Sequence, residues 1–379
     1  MKASVSQYLS GKWEKHPMEE DISNEKVQLA LGFGNKELLQ QEDIFTLVSG
    51  KFPNASIVLC STAGEIFHDT VSDHSLVVAA LQFDKTDIQT AVVNIKDFAN
   101  SYDAAAGLAG KLPKEKLVHV LVFSDGNLVN GNELVKGLVT WTGENVMVTG
   151  GLAGDGANFS STLVGLNDNA AEGQIVAVGF YGDNISITHG SQGGWDVFGL
   201  EKRITKSKSN VLFEIENQNA LELYKKYLGP EAENLPGSAL LFPLSVVIPG
   251  TKKPVVRTIL SINENEQSMT FAGDVPQGSK VRFMKANFDR LTNAAAAAAH
   301  NTLLKHNTTP VFSLLISCVG RKLILGKRTI EEVQAVNKSY EGKTIMAGFY
   351  SYGEISPFNE DNDCQLHNQT MTITSFYES

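Results

Sequence analysis

The sequence predicts an α/β protein of two domains, with mixed β-sheets flanked by helices and internally repeated strand-helix-strand-hairpin units. Three observations predict it. Short runs rich in Val, Ile and Leu alternate with longer helical patterns, the signature of strand-helix-strand construction. Three of these runs close on a glycine followed by an acid, in STAGE (61–65), GLAGD (151–155) and YSYGE (350–354), each about 36–42 residues after the start of the preceding strand. Such an interval fits a unit of roughly 30 or more residues. A chain of 379 residues also exceeds one ordinary core and suits two.

In chain order, residues 1–25 are polar with mixed charge and read as a loosely ordered lead-in. VQLALGFG (27–34) is a strand, followed by a helical pattern through Leu38, Leu39, Ile44, Phe45 and Val48 to Gly50. SIVLCSTAGE (56–65) is the next strand, and HSLVVAALQF with DIQTAVVNI reads as an antiparallel pair. The pattern returns with an Ala-rich helix at 101–112, the strand LVHVLVFSDG (117–126), the helix NELVKGLVTW and the strand NVMVTGGLAGD (145–155). QIVAVGFYG and NISITHGS follow as strands. The helix NQNALELYKKYLG (217–229) stops at Gly229-Pro230, and PEAENLPG is linker-like, which puts a boundary near 230 between domains 26–229 and 230–379. Short strands open the second domain. The third copy comprises the helix FDRLTNAAAAAAHNTLLKH (288–306), the strand PVFSLLISCVG (310–320), a helix from Thr329, and the strand KTIMAGFYSYGE (343–354).

Composition narrows the function. Hydrophobic residues at 42% and charged residues at 20% belong to a folded chain rather than a disordered one. A net charge of -10 opposes general attraction to nucleic acid or anionic lipid. No apolar run approaches the roughly 20 residues of a membrane span, and the N-terminus has no signal-peptide core, so a cytoplasmic protein is expected. Cys60, Cys318 and Cys364 are then free thiols rather than a disulfide framework.

Several segments carry a family resemblance. GGLAGDGANF (150–159), AVGFYGDNISITHGSQGGWDVFG (177–199), SCVGRKLILG (317–326), and GFYSYGEISPF with CQLHNQTMTIT resemble the paired N- and C-terminal FIST domains, over about residues 27–377. That resemblance implies a sensory module for small ligands, with amino acids proposed, and in some bacterial members a haem-containing nitric-oxide sensor. It also implies a standalone sensor here, signalling in trans to a kinase or other output protein.

The candidate ligand-binding residues are Cys318, Arg321, Tyr350, Tyr352, Glu354, His367 and Asn368. SCVGR ends a strand, where open α/β sheets place ligand contacts. Arg321 offers a planar fork for a carboxylate, or an ion pair with Glu354 or another acid. Glu354, like Glu65 and Asp155 in the other copies, can accept an ammonium or cap its own turn. Tyr350 and Tyr352, two apart on a strand, point to one face, where they line a cleft or pack in the core. His367 is a ligand contact, a hydrogen-bonded structural residue, or the axial ligand of the haem alternative, with Asn368 facing the other way. The segment 355–366 would close over the ligand.

Two other chemistries have partial support. Cys364 and His367 have C-x-x-H spacing, but zinc needs two more ligands and no second paired motif is present, so no metal is expected. Cys318 with His367 gives a Cys-dependent hydrolase or transferase as the enzymatic alternative, without a recognisable oxyanion hole. GGLAGDG lacks the lysine of a phosphate loop. SQGGW (191–195) reads as a turn closely approached by another backbone, with Trp195 packed there.

Overall fold

The first repeated unit starts with Leu29–Gly34, which runs parallel to Ser56–Ser61 by way of the helices Lys36–Gln41 and Ile44–Lys51; Leu76–Gln82 returns antiparallel on its other side. The second unit repeats this with Leu117–Ser124, the helix Gly131–Thr142, Met147–Leu152 and the return strand Gln174–Tyr181. The third uses Phe312–Cys318, the helices Val319–Leu325 and Thr329–Ser339, Ile345–Ser351 and Met371–Glu378. A leading strand pairs with each return strand: Lys2–Leu9, Asp87–Asn94 and Ile185–Gln192 respectively. This computed structural model describes residues 1–16, 22–41, 43–143, 145–235, 237–251, 254–306, 308–357 and 364–379.

The Gly-acid turns carry out a cyclic exchange. Glu65–Phe67, after the first turn, pairs with Ile345–Ser351 of the third unit. Val164–Leu166, after the second, pairs with Ser56–Ser61 of the first, and Gly353–Pro357, after the third, pairs with Met147–Leu152 of the second. Each unit therefore completes another's sheet. The result is three six-stranded sheets that share the order of five strands, a threefold plan written in one chain; the sixth is Lys12–Lys15 beside the leading strand in the first sheet, and Cys364–His367 or Thr70–Ser72 beyond the exchanged strand in the second and third.

One face of each sheet meets the others in a shared core, where the rings of Phe33, Phe123 and Phe349 lie 4.9 to 6.1 Å apart. Helices cover the outer faces. With both faces buried, the strands read as continuous apolar runs such as LALGFG. A fourth sheet, of eight strands, lies between the third leading strand and the helix Phe288–Leu303. It has its own core, in which Leu221 and Tyr224 of the helix Ala220–Leu228 pack with Ile204, Phe271 and Phe283.

Two expectations are corrected by this arrangement. The N-terminal residues are not a loose lead-in, since Lys2–Leu9 pairs along Leu76–Gln82 and buries Ala3 and Val5. The runs at 74–83 and 87–95 are not partners: Leu76–Gln82 belongs to the first sheet and Asp87–Asn94 to the second, so the turn between them crosses from sheet to sheet. The SQGGW turn matches its reading. Gly194 has φ +77, a Cβ there would lie 2.4 Å from the Arg290 carbonyl oxygen, and the Trp195 indole N–H donates to the Gln369 carbonyl at 2.9 Å.

Candidate ligand-binding cleft

The residues expected to bind a ligand from the third unit are mostly engaged with one another inside the protein. Arg321 is fully buried and donates to Glu332 Oε2 through Nε at 3.0 Å and Nη2 at 2.7 Å, and to the carbonyls of Gly193 and Leu291. The Tyr350 hydroxyl and the Ser317 hydroxyl donate to the other oxygen of Glu332, at 2.8 and 3.1 Å. The acid partner of Arg321 is thus Glu332, on the helix packed over the strand.

The Gly-acid positions hold turns together. Glu354 accepts from the Ser351 hydroxyl three residues before it, and from the N–H and hydroxyl of Thr370 at the start of the return strand. Glu65 does the same with Thr62 and Ser75. Burial pushes both acids up, Glu65 to about 7 and Glu354 to about 8, against the hydrogen bonds that favour the carboxylates. Asp155 takes the N–H groups of Phe159, Ser160 and Ser161. Burial opposes its ionisation, yet the hydrogen bonds from Ser160, Tyr352 and Ser161 hold it below the usual carboxylate range.

Tyr350 and Tyr352 do not share a face. The strand ends at Ser351, and the chain passes into Gly353–Pro357 of another sheet, so Tyr350 lies in the core while Tyr352 reaches a cleft. Burial pushes the Cys318 thiol far up, with the neighbouring Glu354 adding to the effect, although the N–H groups of Gln369 and Gly320 donate to it. A thiol held protonated in this way is a poor nucleophile. Cys364 reaches the Val148 carbonyl at 3.2 Å. The His367 ring contacts the Ser356 carbonyl oxygen at 3.0 Å and is 1% exposed. That packed setting, in the strand Cys364–His367, leaves no open face for a macrocycle and does not fit axial haem ligation. Asn368 is buried, and neither of its side-chain polar atoms has a hydrogen-bond partner among the described residues. Residues 358–363 of the expected closing segment lie outside the described residues.

The cleft that Tyr352 reaches has a volume of about 510 Å³ and lies between the second unit and the eight-stranded sheet. One wall is the turn 126–132. Asp125 folds it by accepting the N–H groups of Asn127 and Leu128 at 2.7 and 2.8 Å, and Asn130 caps the following helix at Asn132 and Glu133. Glycine is required at 126, where a Cβ would lie 2.1 Å from the Ala153 carbonyl oxygen. The start of the helix Gly131–Thr142 and the side-chain amides of Asn127 and Asn132 give this wall a polar character.

Phe159 and Tyr352 form an aromatic edge, stacked at 4.7 Å between centroids. The Tyr352 hydroxyl bonds to Asp155 and accepts the Phe159 N–H at 3.0 Å. Phe159 sits at φ +52 and is 43% exposed, a costly conformation for an aromatic residue and one that concentrates at ligand clamps. The opposite wall comes from the eight-stranded sheet and includes Asn210, Leu260, Phe271, Gly273 and Asp274.

Behind that wall lies Arg257. It is 1% exposed, and its guanidinium donates to the Asp274 carbonyl at 2.9 Å, to the Val256 and Leu366 carbonyls, and at 3.5 Å to the Asn132 side-chain oxygen. No carboxylate pairs with it among the described residues. Burial pulls its pKa down to about 10, with Asp274 opposing, so it remains a cation at neutral pH. Arg257 and Asn132 also line a second cavity of about 290 Å³, and Asn132 borders both spaces. The sequence gives little warning of this: Arg257 stands in an alternating strand, where a charge reads as facing water. The Asn-Gly-rich run 125–132 before a helix was the available signal.

The cleft has mixed polar and apolar walls and lies between the α/β body and the inserted sheet, a placement at which ligand pockets occur. The chain belongs to the FIST family: the FIST N domain matches residues 28–218 and the FIST C domain residues 220–357. FIST domains are sensory domains that bind small ligands in signalling. No curated protein matches the chain. Among solved structures, a cyanuric acid hydrolase from A. caulinodans is similar at 8% identity and TM-score 0.38, covering 100% of this chain and 99% of its own. A chorismatase is similar at 12% identity and TM-score 0.35, covering 99% and 98%. No helix among the described residues is long and apolar enough to cross a membrane.

Proposed function

We propose that this protein is a cytoplasmic sensor of a small carboxylate-bearing metabolite, an amino acid among the candidates, bound between the second unit and the eight-stranded sheet and signalled to a separate partner protein. The observation that carries this reading is Arg257, a buried cation beside the cleft with no carboxylate counterpart among the described residues. Leaving a charge buried and unpaired is costly, and a ligand carboxylate would relieve that cost. The side-chain amide of Asn132 would add a donor for the same group, Asp274 in the facing wall would accept an ammonium, and the Phe159–Tyr352 edge suits an apolar side chain. A ligand touching both bodies favours whichever of their relative positions it binds best, which is the only means by which it can shift a conformation.

The test is calorimetric titration of the full chain with amino acids and small dicarboxylates that raise its melting temperature. Arg257→Gln should weaken binding by about 30-fold, corresponding to ~2 kcal/mol for a lost charge-assisted hydrogen bond. Asn132→Ala should weaken it less. A ligand that binds Arg257→Gln as tightly as the parent would overturn the assignment, and so would a screen in which no carboxylate shifts melting.

A further inference from the structure

A second cluster of side chains shares no residue with the cleft. Among the described residues, His16, His68 and Asp69 bring one ligand atom each to within 4.8 Å of one another. His16 follows the edge strand Lys12–Lys15 of the first sheet, and its N–H donates to the Val5 carbonyl. His68 and Asp69 form the turn of the exchanged hairpin, between Glu65–Phe67 and Thr70–Ser72, at the edge of the third sheet. The three residues therefore meet where the N-terminal edge of one sheet touches a hairpin lent to another.

The details favour ligation over packing. The His16 and His68 rings stack at 3.8 Å, and Phe67 closes one side with its ring 6.0 Å from His16. His68 is 2% exposed, yet its Nδ1 is buried without a hydrogen-bond partner among the described residues. Its backbone is held at φ +54, which histidine adopts uncommonly. Stacking alone leaves that nitrogen unsatisfied. The Asn337 side chain donates to Asp69 at 3.5 Å, the type of outer contact that orients a ligating carboxylate.

We propose that His16, His68 and Asp69 form a binding site for a divalent transition-metal ion, with a fourth position open to water, clamping the N-terminal edge strand to the exchanged hairpin. Two imidazoles and one carboxylate suit Zn2+, Co2+ or Ni2+ and not the all-oxygen preference of Ca2+ or Mg2+. Bonds of about 2.0–2.1 Å at the tetrahedral angle put ligand atoms ~3.3 Å apart. Side-chain rotation in a half-exposed His16 and Asp69 supplies the contraction from the present spacing.

The experiment uses the full chain stripped with chelator and titrated with Co2+, then Zn2+, followed by visible absorption and calorimetry. The expected result is a Co2+ band of low-symmetry geometry that Zn2+ abolishes, a raised melting temperature with Zn2+, and no response to Mg2+. His16→Gln and Asp69→Asn should each weaken binding by about 10-fold or more while leaving the far-UV spectrum unchanged. His68→Ala should abolish it, but its turn is strained, so the His16 variant decides the matter if that protein fails to fold. Absence of a Co2+ band in the parent, or unchanged affinity in His16→Gln, would overturn the proposal.

Discussion

Arg321 and Arg257 are two fully buried arginines with opposite surroundings. Arg321 has a complete set of partners in Glu332, Gly193 and Leu291, and Glu332 is in turn completed by Tyr350 and Ser317. Removing one partner of such a pair strands the other charge in a dry interior. Arg321→Ala should therefore lower stability by about 3–5 kcal/mol in urea unfolding. Where that variant folds, it should bind cleft ligands like the parent. A loss of affinity without a loss of stability would return Arg321 to the binding site. The sequence made Arg321 the more attractive residue because strand-end position and a two-point donor are both readable from SCVGR. The partner that neutralises it sits one helix later and is recognisable only once Thr329–Ser339 lies over the strand. Arg257 shows the reverse: its surroundings are made by segments 109 and 125 residues away, Leu366 and Asn132, which no local pattern announces.

At the scale of elements, the repeated unit was legible because everything that makes it is local: an apolar run, a helix, a second run and a glycine before an acid. The exchange of strands was not, since a three-residue segment such as Glu65–Phe67 carries no mark of which sheet it will join. That explains why 74–83 and 87–95 looked like a hairpin. The Ala run of 294–299 was legible as helix but its purpose was not. It lets Phe288–Leu303 approach the strand Ile185–Gln192 so closely that a Cβ at Gly190 would lie 2.0 Å from the Ala298 carbonyl oxygen. Gly190→Ala must push backbone from backbone and should cost about 3 kcal/mol. Gly50, in the helix Ile44–Lys51, has open space at its Cβ position, so Gly50→Ala should instead stabilise by up to ~1 kcal/mol. Denaturant midpoints of the two variants, measured side by side, check both signs. Similar destabilisation by both would contradict the close helix-strand approach.

Across the whole molecule, burial of ionisable groups sets how stability responds to pH. His68, His119 and His367 are depressed by burial to about 4, 3 and 4 from 6.5, so each contributes stability above pH 6.5 that is lost as pH falls through the folded value. Glu65 and Glu354 are raised by burial from 4.5 to about 7 and about 8. Their contribution is full below 4.5 and is lost as pH rises through those values, because the unfolded chain releases the two protons first. Between pH 6.5 and 8 the unfolded histidines lose their last protons and still add some stability, while the two acids take away more of it and set the sign of the slope. Stability should peak near pH 6 and fall by pH 8, while Glu65→Gln with Glu354→Gln keeps the hydrogen-bonding shape and removes the titration. Urea midpoints should then be lower at pH 8 than at pH 6 in the parent and higher at pH 8 in the double variant, in which only the histidines titrate. These acids stand at equivalent turns of two units, each tying an exchanged strand to its return strand through a hydroxyl and an N–H. An equal slope in both proteins would mean that the turns hold ionised acids, and that the exchange is fastened by charge rather than by buried neutral hydrogen bonds.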